Sequence, residues 1–222
     1  NSKWGVHDHV LLARLADTLR TARAPWFTTV FTLSSHEPYD APGPVVYPGT
    51  DEADRFRNAM RYTDRAVGDL LGRLRADRRL WDSTLVVLVA DHGHPLPDWT
   101  TEHDPDSYRI PLLLTGGALK AEWRGRRGEQ ICSQTDLLAT LLGQLGQPTQ
   151  DLAWSRNLLV PMAEPFAFFV FNDGFGLVKK AGVVTFDNVG RRVIRRDRGV
   201  GDAQLRQGQA LMQETFGEFL RY

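Results

Sequence analysis

The stretch that decides the fold reads Thr-Leu-Val-Val-Leu-Val-Ala-Asp-His-Gly from Thr84 to Gly93. Its apolar part shows no alternation with polar residues, which is typical of a strand covered by helices on both faces. The apolar run stops abruptly at Asp91-His92. The pattern predicts a buried strand of an α/β sheet with polar side chains at its carboxyl end, where ligand sites in open α/β sheets gather.

The segments around this strand alternate between helical and extended patterns. Apolar residues at helical spacing predict helices over residues 10–19, about 51–76 and 133–145, and Asp8 is positioned to cap the first of them. Apolar runs over 26–33 and 110–115 predict two more strands, the first of them buried. This order of elements predicts an α/β domain with a mainly parallel sheet flanked by helices.

The last part of the chain has a different pattern. Short strands are predicted over residues 166–171, 176–180, 183–186 and 192–196, joined by turn sequences such as Asn172-Asp173-Gly174. A helix is predicted from about residue 202 to 220. We therefore predict two parts: an α/β domain over residues 1–160, and a small antiparallel β appendage with a terminal helix over 161–222.

Composition narrows the class of protein. The 222 residues are 42% hydrophobic and 24% charged, as is typical of a globular protein, and 27 basic residues balance 27 acidic ones. The balanced charge argues against a dedicated nucleic-acid binder, and the single cysteine, Cys132, excludes an internal disulfide. The apolar runs are too short to cross a bilayer. The chain starts without Met or a signal-peptide pattern, so we expect a fragment whose membrane anchor lies elsewhere.

Asp91 and His92 are the leading candidates for chemistry. A carboxylate and an imidazole on adjacent residues of a tight turn can reach one cation, and Gly93 permits the turn. Mixed oxygen and nitrogen ligands suit Mn²⁺ or Zn²⁺, whereas the imidazole makes Ca²⁺ or Mg²⁺ less favoured. The alternative is a turn aspartate beside a surface histidine, because a short motif alone has a real false-positive rate.

Two further groups of polar residues follow predicted strands. His36 comes after the strand predicted over 26–33, so we expect it to share a sheet edge with Asp91-His92 and to bind metal or a substrate oxyanion. The alternative is a histidine that stabilises its loop. A second cluster contains His94, Glu102, His103 and Asp104. It could bind another cation or contact substrate, and a solvated loop is an equally good interpretation.

Other reactive residues are weaker candidates. Ser34 and Ser35 beside His36 suggest a serine hydrolase, but the sequence has no Gly-x-Ser-x-Gly motif. Cys132 is interpreted as a packing residue. A basic cluster is interpreted as a solvated face, with an anionic polymer or lipid head group as the weaker alternative; it comprises Arg191, Arg192, Arg195, Arg196 and Arg198.

Several segments carry motifs in a characteristic order. Residues 4–8 contain Gly-x-x-Asp, residues 32–39 are similar to Ser-Asn-His-x-Pro-Tyr, and residues 82–93 end in Asp-His-Gly; segments 58–71, 109–111 and 134–140 also fit. Together they resemble lipoteichoic acid synthase and related phosphoglycerol transferases of the sulfatase (alkaline phosphatase) superfamily. The resemblance spans roughly residues 4 to 160, and the order and spacing of several segments make it more specific than any single motif.

The resemblance implies an alkaline-phosphatase-like α/β domain on the extracytoplasmic face of the bacterial inner membrane. Such enzymes hold a divalent cation, often Mn²⁺, between a Glu, a nucleophilic Thr and an Asp-His pair, which here matches Asp91 and His92. The family's substrate-binding histidine matches His36. The Thr attacks the phosphorus of a phospholipid head group. The family's Glu and Thr lie upstream of Gly-x-x-Asp, so we expect no nucleophile in this chain and no activity without the N-terminal half of the domain.

Three functions stay open at this stage. The first is an envelope phosphoglycerol or phosphoethanolamine transferase, and the second is a sulfatase or phosphodiesterase of the same superfamily. The third is a non-catalytic binding module. The expected partners are the N-terminal half of the domain and a phospholipid head group or a sulfate or phosphate ester, without nucleic acid.

Overall fold

The computed structural model of the chain describes residues 5–221. The helices are α1 (Asp8–Thr21), α2 (Glu52–Ala76), α3 (Arg78–Asp82), α4 (Leu137–Gln144) and α5 (Asp202–Phe219). The strands are β1 (Val86–Val89), β2 (Leu112–Thr115), β3 (Phe166–Phe171), β4 (Gly174–Lys179), β5 (Gly182–Asp187) and β6 (Arg192–Arg196). The predicted helices and the four C-terminal strands are therefore confirmed. Among residues 5–221, no helix is long and apolar enough to cross a bilayer.

The contacts divide the chain into two units. The first contains the chain up to Leu88 together with Leu96–Trp99 and Leu113–Leu119, and the second contains the remainder. The predicted domain division at residue 160 stays a prediction. The strands form two separate sheets. Strands β1 and β2 form a two-stranded sheet, and β3 to β6 form a four-stranded antiparallel sheet in sequence order. The described residues do not show the mainly parallel sheet that we predicted.

The first unit has a helical core. Helices α1 and α2 contribute the apolar stripes that their helical spacing predicts, and α3 adds Leu80. The buried side chains are Leu12, Ala16 and Leu19 from α1, and Ala66, Leu70 and Leu74 from α2. Asp51 caps the start of α2, and its side chain accepts a hydrogen bond from the backbone N–H of Asp54.

The predicted strand over residues 26–33 is wrong, because no residue of that segment lies in a strand. Trp26 and Val30 pack against the core of α1 and α2, whereas Phe27 is 88% and Phe31 66% exposed. A strand needs a neighbouring backbone to pair with, and the Leu33 N–H instead donates to the Asp8 carboxylate at 2.8 Å. The prediction that β1 is buried on both faces is also wrong, since Val89 is 39% exposed.

The Asp8 carboxylate ties the first unit together. Asp8 is fully buried, and it is the first residue inside α1 rather than the predicted cap, a position that His7 occupies. Its oxygens accept hydrogen bonds from the backbone N–H groups of Leu33 and Ser34 and from the Thr63 hydroxyl of α2. The Ser34 hydroxyl in turn accepts a hydrogen bond from the Asp8 N–H at 3.1 Å. One side chain therefore connects three segments that are far apart in sequence.

The second unit is built on the antiparallel sheet. Strands β3, β4 and β5 pair in regular register, and β5 pairs with β6 through an irregularity at Thr185–Phe186. Helix α5 packs on β4 and β5, with Leu205 and Leu211 against a core that includes Leu177 and Val184. The side-chain amide of Gln204 donates to the carbonyls of Leu177 and Gly182. The helix therefore stays aligned with the sheet.

We expect Asp8→Ala to lower the free energy of unfolding by about 3 kcal/mol, because it leaves two backbone N–H groups and one hydroxyl without a buried acceptor. Urea unfolding followed by circular dichroism measures the change. Asp17→Ala is the matched control: Asp17 is an exposed α1 aspartate paired with Arg20 at 3.5 Å, and its loss is expected to cost less than about 0.5 kcal/mol. Equal effects of the two substitutions would contradict the role assigned to Asp8.

Candidate metal site

The turn after β1 presents Asp91 and His92 to solvent. Their side chains are 67% and 69% exposed, and the His92 N–H donates to the Asp91 carboxylate at 3.0 Å. His92 Nδ1 lies 2.7 Å from the Gly93 carbonyl. A carbonyl oxygen only accepts, so Nδ1 is the donor in this contact, and in the neutral ring the lone pair is then on Nε2. This is the tautomer that a histidine needs to bind a metal through Nε2.

The geometry of this pair suits two ligands of one cation. His92 Nε2 lies 3.9 Å from Asp91 Oδ1. Metal–ligand bonds of about 2.1 Å in tetrahedral geometry separate two ligand atoms by about 3.4 Å, so a small side-chain rotation brings both onto one ion. Among residues 5–221, no group of three or more His, Cys, Asp or Glu side chains is arranged to hold a metal. Asp91 and His92 therefore offer two possible ligands, without a third beside them among these residues.

Gln134 holds the turn that carries this pair. Its side-chain amide donates to the Ala90 carbonyl at 2.8 Å and to the Asp91 carbonyl at 2.9 Å. Gln134 begins the short 3-10 helix Gln134–Asp136 that leads into α4. Sequence reasoning gave Gln134 no role of its own. The available signal was a polar side chain at the start of a helix within a motif-bearing segment.

Gly93 fits its position because of a close backbone approach. A Cβ at residue 93 would lie 2.0 Å from the Ser107 carbonyl oxygen, which is far inside contact distance. The Ser107 hydroxyl donates a hydrogen bond to the Thr101 carbonyl at 2.8 Å, and it lies 2.6 Å from the Thr100 hydroxyl. The glycine of Asp-His-Gly thus lets the 100–108 segment pack directly against the turn.

His103 and Asp104 of the second polar cluster pack against the antiparallel sheet. The His103 ring lies 4.8 Å from the Phe171 ring, its carbonyl accepts a hydrogen bond from Thr185, and Asp104 is 3.6 Å from Arg195. The Tyr108 ring stacks on Phe169 at 4.2 Å. These contacts place the 103–108 segment on the antiparallel sheet. The solvated-loop interpretation therefore does not hold for His103, whose Nδ1 is buried without a hydrogen-bond partner among the described residues.

The remaining members of that cluster have individual surroundings. The Glu102 carbonyl accepts a hydrogen bond from the Tyr108 hydroxyl, while residue 102 itself is exposed. Burial, and then the charge of Glu102, raises the pKa of Tyr108, so its phenol stays protonated as a donor. His94 is partly buried. Roles for His94, Glu102 and His103 at a second cation or at substrate stay predictions.

His36 lies in a tight turn of the first unit. The His36 N–H donates to the Leu33 carbonyl at 3.1 Å, and its ring Nδ1 lies 3.2 Å from the Glu37 carbonyl. The turn is anchored by Tyr39, which is buried against Phe56. Burial, followed by the charge of Glu37, raises the pKa of Tyr39 to about 12. The expectation that His36 shares one edge with Asp91-His92 stays a prediction, because the residues belong to different units.

The weaker candidates have structural explanations. Ser34 is 2% exposed, and its hydroxyl accepts the Asp8 N–H bond, so this serine is occupied within the fold. The prediction that Cys132 is a packing residue is wrong, because the residue is exposed. Partial desolvation and the neighbouring Asp136 carboxylate raise the pKa of its thiol. A raised pKa disfavours the thiolate, so Cys132 is a poor nucleophile at neutral pH.

The chain is a mixed α/β protein with an Asp-His pair directly after β1. Comparison with known proteins identifies its family. A family model described as "Sulfatase" matches residues 1–147. The chain belongs to the sulfatase family, and this membership implies an alkaline-phosphatase-like fold. The family model therefore agrees with the superfamily that the motifs indicated.

Individual relatives are similar over much of this chain. A phosphoglycerol transferase I of Xanthomonas euvesicatoria pv. vesicatoria is 31% identical over 176 residues, covering 75% of this chain and 24% of the relative. A lipoteichoic acid synthase-like protein of Bacillus subtilis is 22% identical over 197 residues, covering 78% and 32%. Human N-sulphoglucosamine sulphohydrolase is 30% identical over 128 residues, covering 55% and 25%. The chain thus spans about a quarter to a third of each relative's length.

We expect Gln134→Ala to speed amide hydrogen exchange at residues 91–93 by about tenfold or more, because it removes two hydrogen bonds worth about 1 kcal/mol each from the turn. Mass spectrometry of peptides covering the turn measures the exchange. Gln147→Ala, at an exposed position of the same unit, is the control and should change nothing there. Unchanged exchange in Gln134→Ala would show that the two Gln134 hydrogen bonds do not hold the turn.

Proposed function

We propose that this chain contributes two metal ligands, Asp91 and His92, to a metal-dependent phosphoglycerol or phosphoethanolamine transferase. The observation that carries the proposal is the His92 ring, whose Nδ1 is occupied by the Gly93 carbonyl and whose Nε2 lies 3.9 Å from Asp91 Oδ1, so that these two atoms can approach one cation. The family membership and the similarity to a phosphoglycerol transferase I support it. Mn²⁺ is the proposed cation, with Zn²⁺, Ca²⁺ or Mg²⁺ as alternatives.

In this proposal the residues divide into metal ligands, residues that hold the turn and a substrate-binding histidine. A bound divalent cation supplies positive charge that neutralises phosphate oxygens and activates a hydroxyl. Asp91 offers a carboxylate oxygen and His92 offers Nε2, while Gln134 and Gly93 keep the backbone of the turn in position. His36 is proposed to donate a hydrogen bond to a non-bridging oxygen of the substrate, where developing negative charge is stabilised most effectively.

The remaining ligands and the nucleophile are proposed to come from a segment outside residues 1–222. Two ligands cannot replace the water that a divalent ion gives up, and the described residues offer no third one nearby. The proposed substrate is an anionic phospholipid head group, and the proposed location is the extracytoplasmic face of the bacterial inner membrane. The proposed membrane anchor likewise lies outside this sequence.

A sulfatase or phosphodiesterase is the second candidate function. The observation that favours it is the 30% identity to a human sulphohydrolase across 128 residues. Transfer and hydrolysis would use the same ligands from this chain, and they differ in the acceptor, which is an alcohol or water. A non-catalytic binding module is the third candidate, and it differs in having no turnover even with every ligand supplied.

We expect the isolated chain to bind Mn²⁺ and Zn²⁺ weakly, and His92→Ala to remove that binding. Isothermal titration calorimetry of the chain with each ion measures it. His9→Ala removes another exposed imidazole, one that contacts Tyr62 in the first unit, and should leave binding unchanged. Tight binding that survives His92→Ala would mean that the metal site lies elsewhere.

We also expect the isolated chain to lack turnover of bis(p-nitrophenyl) phosphate and p-nitrophenyl sulfate. The physical reason is that losing a nucleophile removes several orders of magnitude of rate. Release of p-nitrophenol in the presence of Mn²⁺ is the measurement, with buffer containing Mn²⁺ as the background. Robust turnover that Asp91→Ala abolishes would show that residues 1–222 contain a complete site.

A further inference from the structure

The last turns of α5 carry large apolar side chains that face solvent. Phe216 is 56%, Phe219 74% and Leu220 71% exposed. Exposed apolar residues are common singly, but a contiguous group usually marks an interaction site. The helix is not a frayed end, because the Trp154 indole N–H donates to the Glu218 carboxylate on its other side.

The turn between β5 and β6 extends this apolar surface. Asn188 of that turn lines a shallow hollow together with Gln209, Met212, Phe216 and Leu220 of α5. The next residue, Val189, is 76% exposed. We call this combined surface the α5 patch: Val189, Met212, Phe216, Phe219 and Leu220.

The turn that carries Val189 also carries two arginines. Arg191 and Arg192 follow Val189 after Gly190; residue 191 is exposed, and the Arg192 side chain is 77% exposed with its Nε 3.5 Å from Asp187. Arg221, after the end of α5, lines a separate hollow with Trp154 and Glu218 and is not counted with these two arginines. Of the two acidic residues in this part of the helix, Glu218 is engaged by Trp154 and Glu214 is exposed.

We propose that the α5 patch docks on the surface of an anionic lipid bilayer. Phenylalanine and leucine side chains can enter the boundary between head groups and acyl chains, while the neighbouring arginines pair with lipid phosphates. Arginine suits this position because its apolar stem stays beside the patch while its charged end reaches the head groups.

A protein partner fits this surface less well. A stable protein interface buries roughly 800 Å² per partner, contributed by about 20–30 residues, and the α5 patch has five apolar residues. Shallow membrane docking needs only a few inserted side chains and electrostatic attraction. The inference does not depend on the proposed metal site, since Asp91 and His92 take no part in it.

Co-sedimentation of the purified chain with lipid vesicles tests the proposal. We expect binding to vesicles of phosphatidylcholine with about one third phosphatidylglycerol, and at least about tenfold weaker binding to pure phosphatidylcholine or in 0.5 M NaCl, because the arginine contribution is electrostatic and screened. Absence of binding to the anionic vesicles at low salt would overturn the proposal.

Substitutions separate the patch from general charge effects. Val189→Asp, which changes only an exposed turn residue, and the pair Phe216→Ser with Phe219→Ser should each weaken vesicle binding by about tenfold or more. Arg191→Ala with Arg192→Ala should do so on anionic vesicles only. The matched control is Leu138→Ser with Leu145→Ser, which alters leucines of the same unit that are 52% and 66% exposed and should leave binding unchanged.

Two further outcomes would overturn the proposal. The first is vesicle binding that Val189→Asp leaves unchanged. The second is concentration-dependent self-association, measured by light scattering, that Val189→Asp abolishes while the wild type ignores vesicles; the occupant would then be a second copy of the chain. Circular dichroism of each variant confirms that it is folded, and the turn variant keeps the test valid if the α5 variants unfold.

Discussion

The buried carboxylate of Asp136 is the interaction on which the site-bearing unit depends. Asp136 is fully buried, and it accepts hydrogen bonds from the Ser133 N–H and from the backbone and side chain of Arg156. Arg156 also donates to the Phe166 carbonyl and lies 4.0 Å above the Phe166 ring. A buried carboxylate without such partners would cost several kcal/mol. The pairing therefore keeps the start of α4, the 156–158 segment and the first strand of the sheet together.

The candidate metal site inherits its geometry from that arrangement. Asp136 ends the short helical turn that Gln134 begins, and Gln134 reaches the carbonyls at the end of β1. The contacts thus run from the Asp136–Arg156 ion pair, through the Gln134 amide, to the turn that carries the two proposed ligands. Ligand side chains on an exposed turn need such support, because a site displaced by about 1 Å loses much of its function.

The first unit also contains a fully buried carboxylate that accepts several hydrogen bonds, that of Asp8. Asp8 binds the backbone of residues 33 and 34 and the hydroxyl of Thr63, and this holds the turn that contains His36 against α1 and α2. A buried carboxylate thereby acts as a fixed set of acceptors for segments that have no strand partner. Family membership is consistent with both units, since the matched region extends from residue 1 to 147 and includes Asp8, Asp91 and Asp136.

The sequence by itself determined the elements that depend on neighbours along the chain. Helical spacing located α1, α2 and α5, turn residues located the hairpins, and a strand-end motif singled out Asp91 and His92. Only the tertiary structure decided which residues distant in sequence become hydrogen-bond and packing partners of these elements. Residues 26–33 have strand composition without a strand partner, Gln134 bonds to carbonyls more than 40 residues away, and His103 packs on a sheet formed much later in the chain. Apolar periodicity records which face of a segment is buried, but a hydrogen bond depends on the position of its partner, and only the folded chain brings that partner into reach.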